Sequence, residues 1–249
     1  MSILIDGKKV SNEISEDIKR EISDFTIKPK LIIIQIGDLK ASNVYVEKKI
    51  EFGKKVGAIV EYKKYDENIK EEEIIFDIKR FNSDDSVHGI MVQLPIPKNF
   101  NTEKILDTID YKKDVDGLTA TNTRFLYNNK ESFLPATTKG IITLLEKYNI
   151  DLSSKRVVII GHSILVGKPT ALAFLNRKAT VTICNQFTKD LDIDTKRADI
   201  VVVAVGHPGL ITKDHVNKDQ TIIDIGISVL KDNKISGDVN FEEVKDIVY

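Results

Sequence analysis

One stretch, residues 155–167, constrains the fold of this chain more than any other: Lys-Arg-Val-Val-Ile-Ile-Gly-His-Ser-Ile-Leu-Val-Gly. An apolar run ends at Gly161, and a turn leads to a helix opening near Gly167. A buried parallel strand delivers the backbone to a glycine turn, and the next helix aims its free N–H groups and positive dipole end at a pyrophosphate. Gly161, Ser163 and Gly167 would frame the phosphates. The spacing is G-x-S-x-x-x-G rather than G-x-G-x-x-G, so a plain structural turn is the competing reading of these residues taken alone.

The rest of the chain supplies a context for that stretch. Its 249 residues allow one large domain or two modest ones, each able to bury a core. A 41% apolar and 30% charged composition is that of an ordinary globular protein. The net charge of −1 provides no field to attract nucleic acid or a membrane. The amino terminus has no basic start followed by an apolar run, and no window approaches the length of a membrane span. Cys184 is the only cysteine, so no internal disulfide can form and a reducing cytoplasm is the expected compartment. His88, His162, His207 and His215 lack metal-ligand spacing, so no structural metal is expected.

Hydrophobic periodicity predicts alternating helices and strands. Val10, Ile14, Ile18, Ile22 and Phe25 form a helical stripe, with Ser11 or Asn12 as its cap. A buried strand over 31–36 ends at Gly37, and a helix over 42–56 is capped by Ser42 and closed by Gly57. A strand over 58–65, a helix over 69–81 and a strand over 89–94 follow, the last stopped by Pro95 and Pro97. After a short helix at 102–109, residues 111–135 lack strong periodicity and read as a domain junction. A helix over 138–148 leads into a second series: strands 156–160, 179–184, 199–205 and 221–226, with helices 168–177, 189–197 and 213–217. The expected fold class is therefore two α/β domains, 1–135 and 136–249, the second a Rossmann-like doubly wound parallel sheet.

Three groups of residues carry candidate chemistry. Ser42, Tyr45 and Lys49 share one face of the helix that follows Gly37, and that helix opens at the carboxyl end of a strand, where ligands of α/β sheets bind. Tyr45 offers a ring for stacking; Lys49 offers an amine whose pKa falls on burial, making it a usable general acid or base. The competing reading is a solvated lysine beside a core tyrosine. Gln93 is the polar tip of an apolar strand and can orient a lysine amine, or bond a loop carbonyl. Asp114 and Asp116 alternate ahead of Gly117; one carboxylate could grip an N–H pair of a heterocycle, or both could simply build a turn. In the second half Gly206 and Gly226 end strands, at backbone positions that a cofactor could approach closely. No Asp or Glu stands at the strand end Cys184-Asn185-Gln186, where one would read the adenosine ribose, so NADP is permitted and, without an evident arginine, not enforced over NAD.

Taken in order, these motifs resemble the bifunctional methylenetetrahydrofolate dehydrogenase/cyclohydrolase family across nearly the whole chain. The resemblance rests on Ser42-Asn43-Val44-Tyr45 with Lys49 and Gly57; Gly89 to Pro97; Lys113-Asp114-Val115-Asp116-Gly117-Leu118; Pro135-Ala136-Thr137; Gly161 to Pro169; Ala179-Thr180-Val181-Thr182; and Asp224-Ile225-Gly226-Ile227 with Gly237-Asp238-Val239. It implies oxidation of 5,10-methylene-tetrahydrofolate with NADP and hydrolysis of the methenyl product to 10-formyl-tetrahydrofolate. It further implies Lys49 as the catalytic lysine, Tyr45 stacking on folate, Gln93 holding the lysine and Asp116 holding the pterin, with Val92 and Leu94 beside the substrate. Gly161, His162, Ser163, Ile164, Val166, Gly167, Gln186, Gly206 and Ile227 fall at its cofactor positions. Tetrahydrofolate derivatives are the implied partners, in a homodimer.

The chain departs from the family pattern in three places. His162 stands where the family usually has arginine, and neutral imidazole is the poorer phosphate partner. Asn185 and Gln186 stand in place of His-Ser, with Lys178 or Lys189 as the candidate substitute for a phosphate contact. The family also continues beyond the position of Tyr249 with a proline- and glycine-rich loop and a closing helix, so the chain reads as truncated or partly ordered there. These departures motivate two alternatives, a cyclohydrolase with a decayed nucleotide site and a non-catalytic folate binder; a third, an unrelated two-domain dehydrogenase of a small acid, is opposed by the set Lys49, Gln93 and Asp116.

Overall fold

A computed structural model describes residues 3–229 and 235–248. The chain divides into two compact units, Gly7–Leu134 and Pro135–Tyr249 together with Met1–Asp6.

The first unit runs α1 (Gly7–Ser23), β1 (Lys30–Ile36), α2 (Lys40–Val56), β2 (Ile59–Tyr65), α3 (Glu71–Asn82), β3 (Gly89–Val92), α4 (Thr102–Asp107) and α5 (Ala120–Tyr127). Its sheet is parallel with order β2-β1-β3. The central strand explains the unbroken apolar run. Ile32, Ile34 and Ile36 pack with Ile74, Ile78 and Ile90, whereas Ile33 packs with Val46 and Met91. Alternate side chains of β1 thus enter two separate cores, one on each face, so neither face can be polar. Each isoleucine so buried contributes about 1.5–3 kcal/mol relative to an exposed one.

The second unit runs α6 (Ala136–Lys147), β4 (Arg156–Ile160), α7 (Gly167–Asn176), β5 (Thr180–Cys184), α8 (Leu191–Lys196), β6 (Ile200–Val203), a single 3-10 turn at Lys213–His215, β7 (Thr221–Asp224), β8 (Ser228–Val229), β9 (Ile235–Ser236) and α9 (Phe241–Val244). Four strands form a parallel sheet of order β5-β4-β6-β7. The Rossmann-like α/β expectation holds for this unit. Val158, Ile160, Val201 and Val203 anchor one of its cores.

Several local expectations are corrected. Helix α1 begins at Gly7, so Ser11 and Asn12 lie inside it rather than capping it, and Phe25 lies beyond its end, exposed. Helix α2 opens at Lys40 after Leu39, with no side-chain cap; Ser42 is inside and buried. Packing, rather than a side-chain cap, starts α2. Gly57 does close α2, at φ 87°. The stretch 111–135 is not featureless: Thr119 caps the eight-residue helix α5, which the periodicity search passed over because a helix this short has barely two turns to display a stripe.

Candidate active site

In the first sheet the chain leaves β1 towards β2 on one side and returns to β3 on the other. The carboxyl ends of β1 and β3 therefore form a topological switch point, where a crevice opens in α/β sheets. Three of the candidate residues converge there. Lys49 comes from α2, the helix that follows β1; its Nζ donates to Gln93 Oε1 at 2.9 Å. Gln93 follows β3 directly, and its Nε2 donates to the Leu94 carbonyl at 2.8 Å. Pinning the amide nitrogen to a carbonyl leaves the amide oxygen to face the amine. The third residue arrives along the edge of β3. Residue 114 makes a parallel bridge to Ile90, and the Ile90 N–H donates to Lys113 O at 2.7 Å. Carrying that register two residues onward brings Asp116 level with Val92, the last residue of β3.

Electrostatics couples Lys49 and Asp116. Burial lowers the Lys49 pKa from its ordinary 10.5, while the Asp116 charge pulls it back up. Burial raises the Asp116 pKa from 3.8, while Lys49 pulls it down. Desolvation favours the neutral form of each group, and the partner favours the charged form. The amine is thus brought closer to a working range for proton transfer.

Asp114 and Asp116 have different surroundings, although the alternation suggested a matched pair. Asp114 is buried and accepts from the Thr119 N–H at 2.8 Å and the Asn122 Nδ2 at 2.9 Å, so it organises the turn into α5. Asp116 makes no hydrogen bond to a described residue. Gly117 lets the turn close at φ 65°, with a methyl group there falling 2.1 Å from the Phe133 carbonyl oxygen.

Tyr45 is 47% exposed, one helical turn before Lys49, and available for stacking. The Val92 side chain lies in the hydrophobic core, with Leu94 packed against the same cluster, so only the backbone of Val92 is free to meet a ligand. Sequence reasoning passed over the buried Gln35, whose Oε1 accepts from the Tyr62 hydroxyl at 3.1 Å and whose Nε2 donates to Asn43 Oδ1 at 2.8 Å. That bond ties the first turns of α2 to β1. The one polar residue inside an apolar strand was the available signal.

The second sheet has its own switch point, between β4 and β6. Gly161 follows β4 at φ 118°, and a methyl group on it would lie 2.5 Å from the Ala204 carbonyl oxygen that follows β6. A methyl group on Gly167 would lie 2.1 Å from the Gly161 carbonyl oxygen. Both glycines are required by backbone approach, which explains why the turn tolerates serine but no bulk at its ends. Within the turn, Ser163 Oγ accepts from the Val166 N–H at 3.1 Å, and the Lys168 N–H donates to Ser163 O at 3.0 Å. The ten-residue helix α7 starts at Gly167, and its first turn faces this loop. Side chains of His162, Ser163 and Ile164 are exposed, and Val166 is half-buried. A narrow glycine turn at the start of a helix, with an open outer rim, suits a dinucleotide pyrophosphate.

Around this turn, register pairs Ile160 with Cys184, so Gly161 and Asn185 follow side by side. Asn185 Oδ1 accepts from the Phe187 N–H at 2.9 Å, making it a turn residue, and Gln186 is exposed beside it. Gly206 sits at φ 69° with open space where a side chain would be, and Ile227 is 59% exposed. Among the described residues no group of His, Cys, Asp and Glu could hold a metal ion.

Comparison with known proteins agrees with both halves. The family model for the tetrahydrofolate dehydrogenase/cyclohydrolase catalytic domain matches residues 5–116, and that for its NAD(P)-binding domain matches residues 135–249. A protein of Caldanaerobacter subterraneus subsp. tengcongensis named bifunctional protein FolD is 43% identical over 245 residues, 98% of this chain and 86% of its own. The crystal structure of the bifunctional methylenetetrahydrofolate dehydrogenase/cyclohydrolase from Campylobacter jejuni superposes with a TM-score of 0.95 at 40% identity, covering 99% of this chain and 89% of that one. A Trypanosoma brucei enzyme of the same description, solved with NADP and an inhibitor, gives 0.92 at 27% identity, covering 99% and 88%.

Proposed function

Because the chain belongs to the tetrahydrofolate dehydrogenase/cyclohydrolase family, we infer how its own residues serve two reactions of one-carbon metabolism. It oxidises 5,10-methylene-tetrahydrofolate to the methenyl form with NADP, and it hydrolyses that product to 10-formyl-tetrahydrofolate. The observation that carries the assignment of roles is the 2.9 Å bond from Lys49 to Gln93 at the first switch point.

Ring opening forms a bond from water oxygen to the methenyl carbon and breaks the bond from that carbon to one ring nitrogen. Lys49, as the neutral amine, takes the proton of the attacking water and returns it to the departing nitrogen. The proton of the resulting hydroxyl passes to solvent as the formyl carbonyl forms, so one proton is released overall. Gln93 holds the amine in place in both protonation states, because an amide oxygen accepts from ammonium and, more weakly, from neutral amine. Asp116, which accepts no hydrogen bond from a described residue, binds the N–H groups of the pterin, and Tyr45 stacks on the folate.

For the oxidation, Gly161, Ser163 and Gly167 with the first turn of α7 would hold the pyrophosphate of NADP, with His162 and Gln186 beside the adenosine and Gly206 and Ile227 beside the nicotinamide. NADP, when bound, would supply the hydride acceptor. The protein contributes alignment of the two bound partners and needs no proton transfer for that step.

No described helix is long and apolar enough to cross a membrane. We place the enzyme in the cytoplasm as a homodimer that binds folates rather than nucleic acid, consistent with its single buried, unpaired cysteine and a net charge of −1. Light scattering of the purified chain reads the assembly state. The activity test is the absorbance of methenyl-tetrahydrofolate on adding methylene-tetrahydrofolate with NADP or NAD. No product with either nucleotide would reject the dehydrogenase.

A further inference from the structure

We propose that Asp238 is a positioning residue for the nicotinamide half of the nucleotide, acting through the loop that follows β6. This inference rests on the dehydrogenase reading above.

Asp238 is fully buried, at 0% exposure. Its Oδ2 accepts from the backbone N–H groups of both Val205 and Gly206, at 2.8 and 3.0 Å. Its Oδ1 has no partner among the described residues. The arrangement is built around a second carboxylate. Asp224, the last residue of β7, accepts from the N–H groups of Gly226, Asp238 and Val239 at 2.9, 3.1 and 3.0 Å. Two glycines make room for the pair. A methyl group on Gly226 would lie 2.1 Å from Asp238 Cγ, and one on Gly237 would lie 2.0 Å from Asp224 Oδ2. Each carboxylate thus fills the space that the other's segment leaves by using glycine.

Satisfying hydrogen bonds does not by itself explain such a residue. Val205 and Gly206 are exposed residues, yet both of their N–H groups point inward to a fully buried carboxylate. Burying a carboxylate with one oxygen unpartnered among the described residues is unfavourable, because that oxygen has given up its water. What the carboxylate adds is direction: it turns two successive N–H groups inward and fixes the loop they belong to. Ser228 Oγ holds the same loop from another side, donating to the Gly206 carbonyl at 3.1 Å.

That loop forms one wall of the second switch point, because Ala204 is the residue against which Gly161 packs. The phosphates belong at the Gly161 turn, and the adenosine belongs on the β5 side of it. The opposite side, at the ends of β6 and β7, remains for the nicotinamide. With both N–H groups taken by Asp238, Val205 and Gly206 have no backbone donor left to offer an anion. It presents a fixed, open surface at Gly206 to an uncharged or cationic ring.

The test compares Asp238→Ala and Asp238→Asn with the parent enzyme. NADP and NAD binding are titrated calorimetrically, and methenyl ring opening, which uses no nucleotide, is followed in the same preparations. Asp238→Ala should raise the nucleotide Kd at least tenfold. Asp238→Asn, which keeps an acceptor for the two N–H groups, should recover part of that loss. Ring-opening kcat and its folate KM should stay within twofold in both. Unchanged nucleotide affinity in Asp238→Ala overturns the proposal, as does a parallel fall in ring opening, which would mark general loosening. If neither variant folds, Ser228→Ala decides: a weaker nucleotide Kd supports the role of the loop, and an unchanged one rejects it. A parent enzyme that binds neither nucleotide would instead refute the dehydrogenase reading itself.

Discussion

Lys49 and Gln93 are 44 residues apart in the chain, yet amine and amide oxygen lie 2.9 Å from one another. Their elements, α2 and the end of β3, are brought together because β1 lies between β2 and β3 in the sheet. The lysine is the only group of this constellation with both a hydrogen-bonding anchor and a pKa moved towards neutrality.

Lys49→Met removes the proton carrier while keeping the aliphatic stem. Ring opening of methenyl-tetrahydrofolate should fall by about 10²–10⁴ in kcat, the usual contribution of a positioned acid or base. Nucleotide affinity should be unaffected. Retained ring opening would take Lys49 out of this role.

Asp116→Asn tests the electrostatic coupling, and the signs can be worked out. The Asp116 charge raises the Lys49 pKa, so its removal should move the Lys49 titration further below 10.5, as read by NMR of the labelled lysine carbons. Asp116 itself has a folded-state pKa above 3.8, so the folded state binds more protons than the unfolded state as pH rises from 3.8 through the folded value. Stability falls over that window and the cost persists above it. The asparagine variant should therefore melt higher than the parent at pH 7, with the advantage disappearing below pH 3.8, while its folate KM rises.

Asp114→Ala should behave oppositely to changes at Asp116. It strands the buried Thr119 N–H and an Asn122 amide hydrogen, at a cost of about 2–4 kcal/mol. Thermal unfolding should show the loss, with kcat per folded molecule little changed. A variant of parental stability would show that the turn into α5 does not depend on this carboxylate.

Gly167→Ala places a methyl group 2.1 Å from the Gly161 carbonyl oxygen, with backbone rather than a flexible side chain obstructing it. The turn must open, and nucleotide affinity should fall at least tenfold while ring opening persists. Equal affinity for NADP in parent and variant, measured by titration, would contradict the placement of the phosphates.

Much of this protein could be read directly from its amino-acid order. The Ile32–Ile36 run had to be a strand covered on both faces, and the glycines at 161 and 167 marked a tight strand-to-helix turn, because solvent exclusion and steric room act on neighbouring residues. The alternation of elements likewise gave away two parallel sheets. Helix starts were less legible: Ser42 looks like a cap and is a buried interior residue, since packing onto β1 outweighed capping. Only the tertiary structure decided which of the two aspartates flanking Val115 is structural, how Gln93 meets Lys49, and that Asp238 lies beneath residues 205–206. Those relationships depend on strand order and on the desolvation of particular carboxylates. Both are properties of segments far apart in the chain, to which local periodicity is blind.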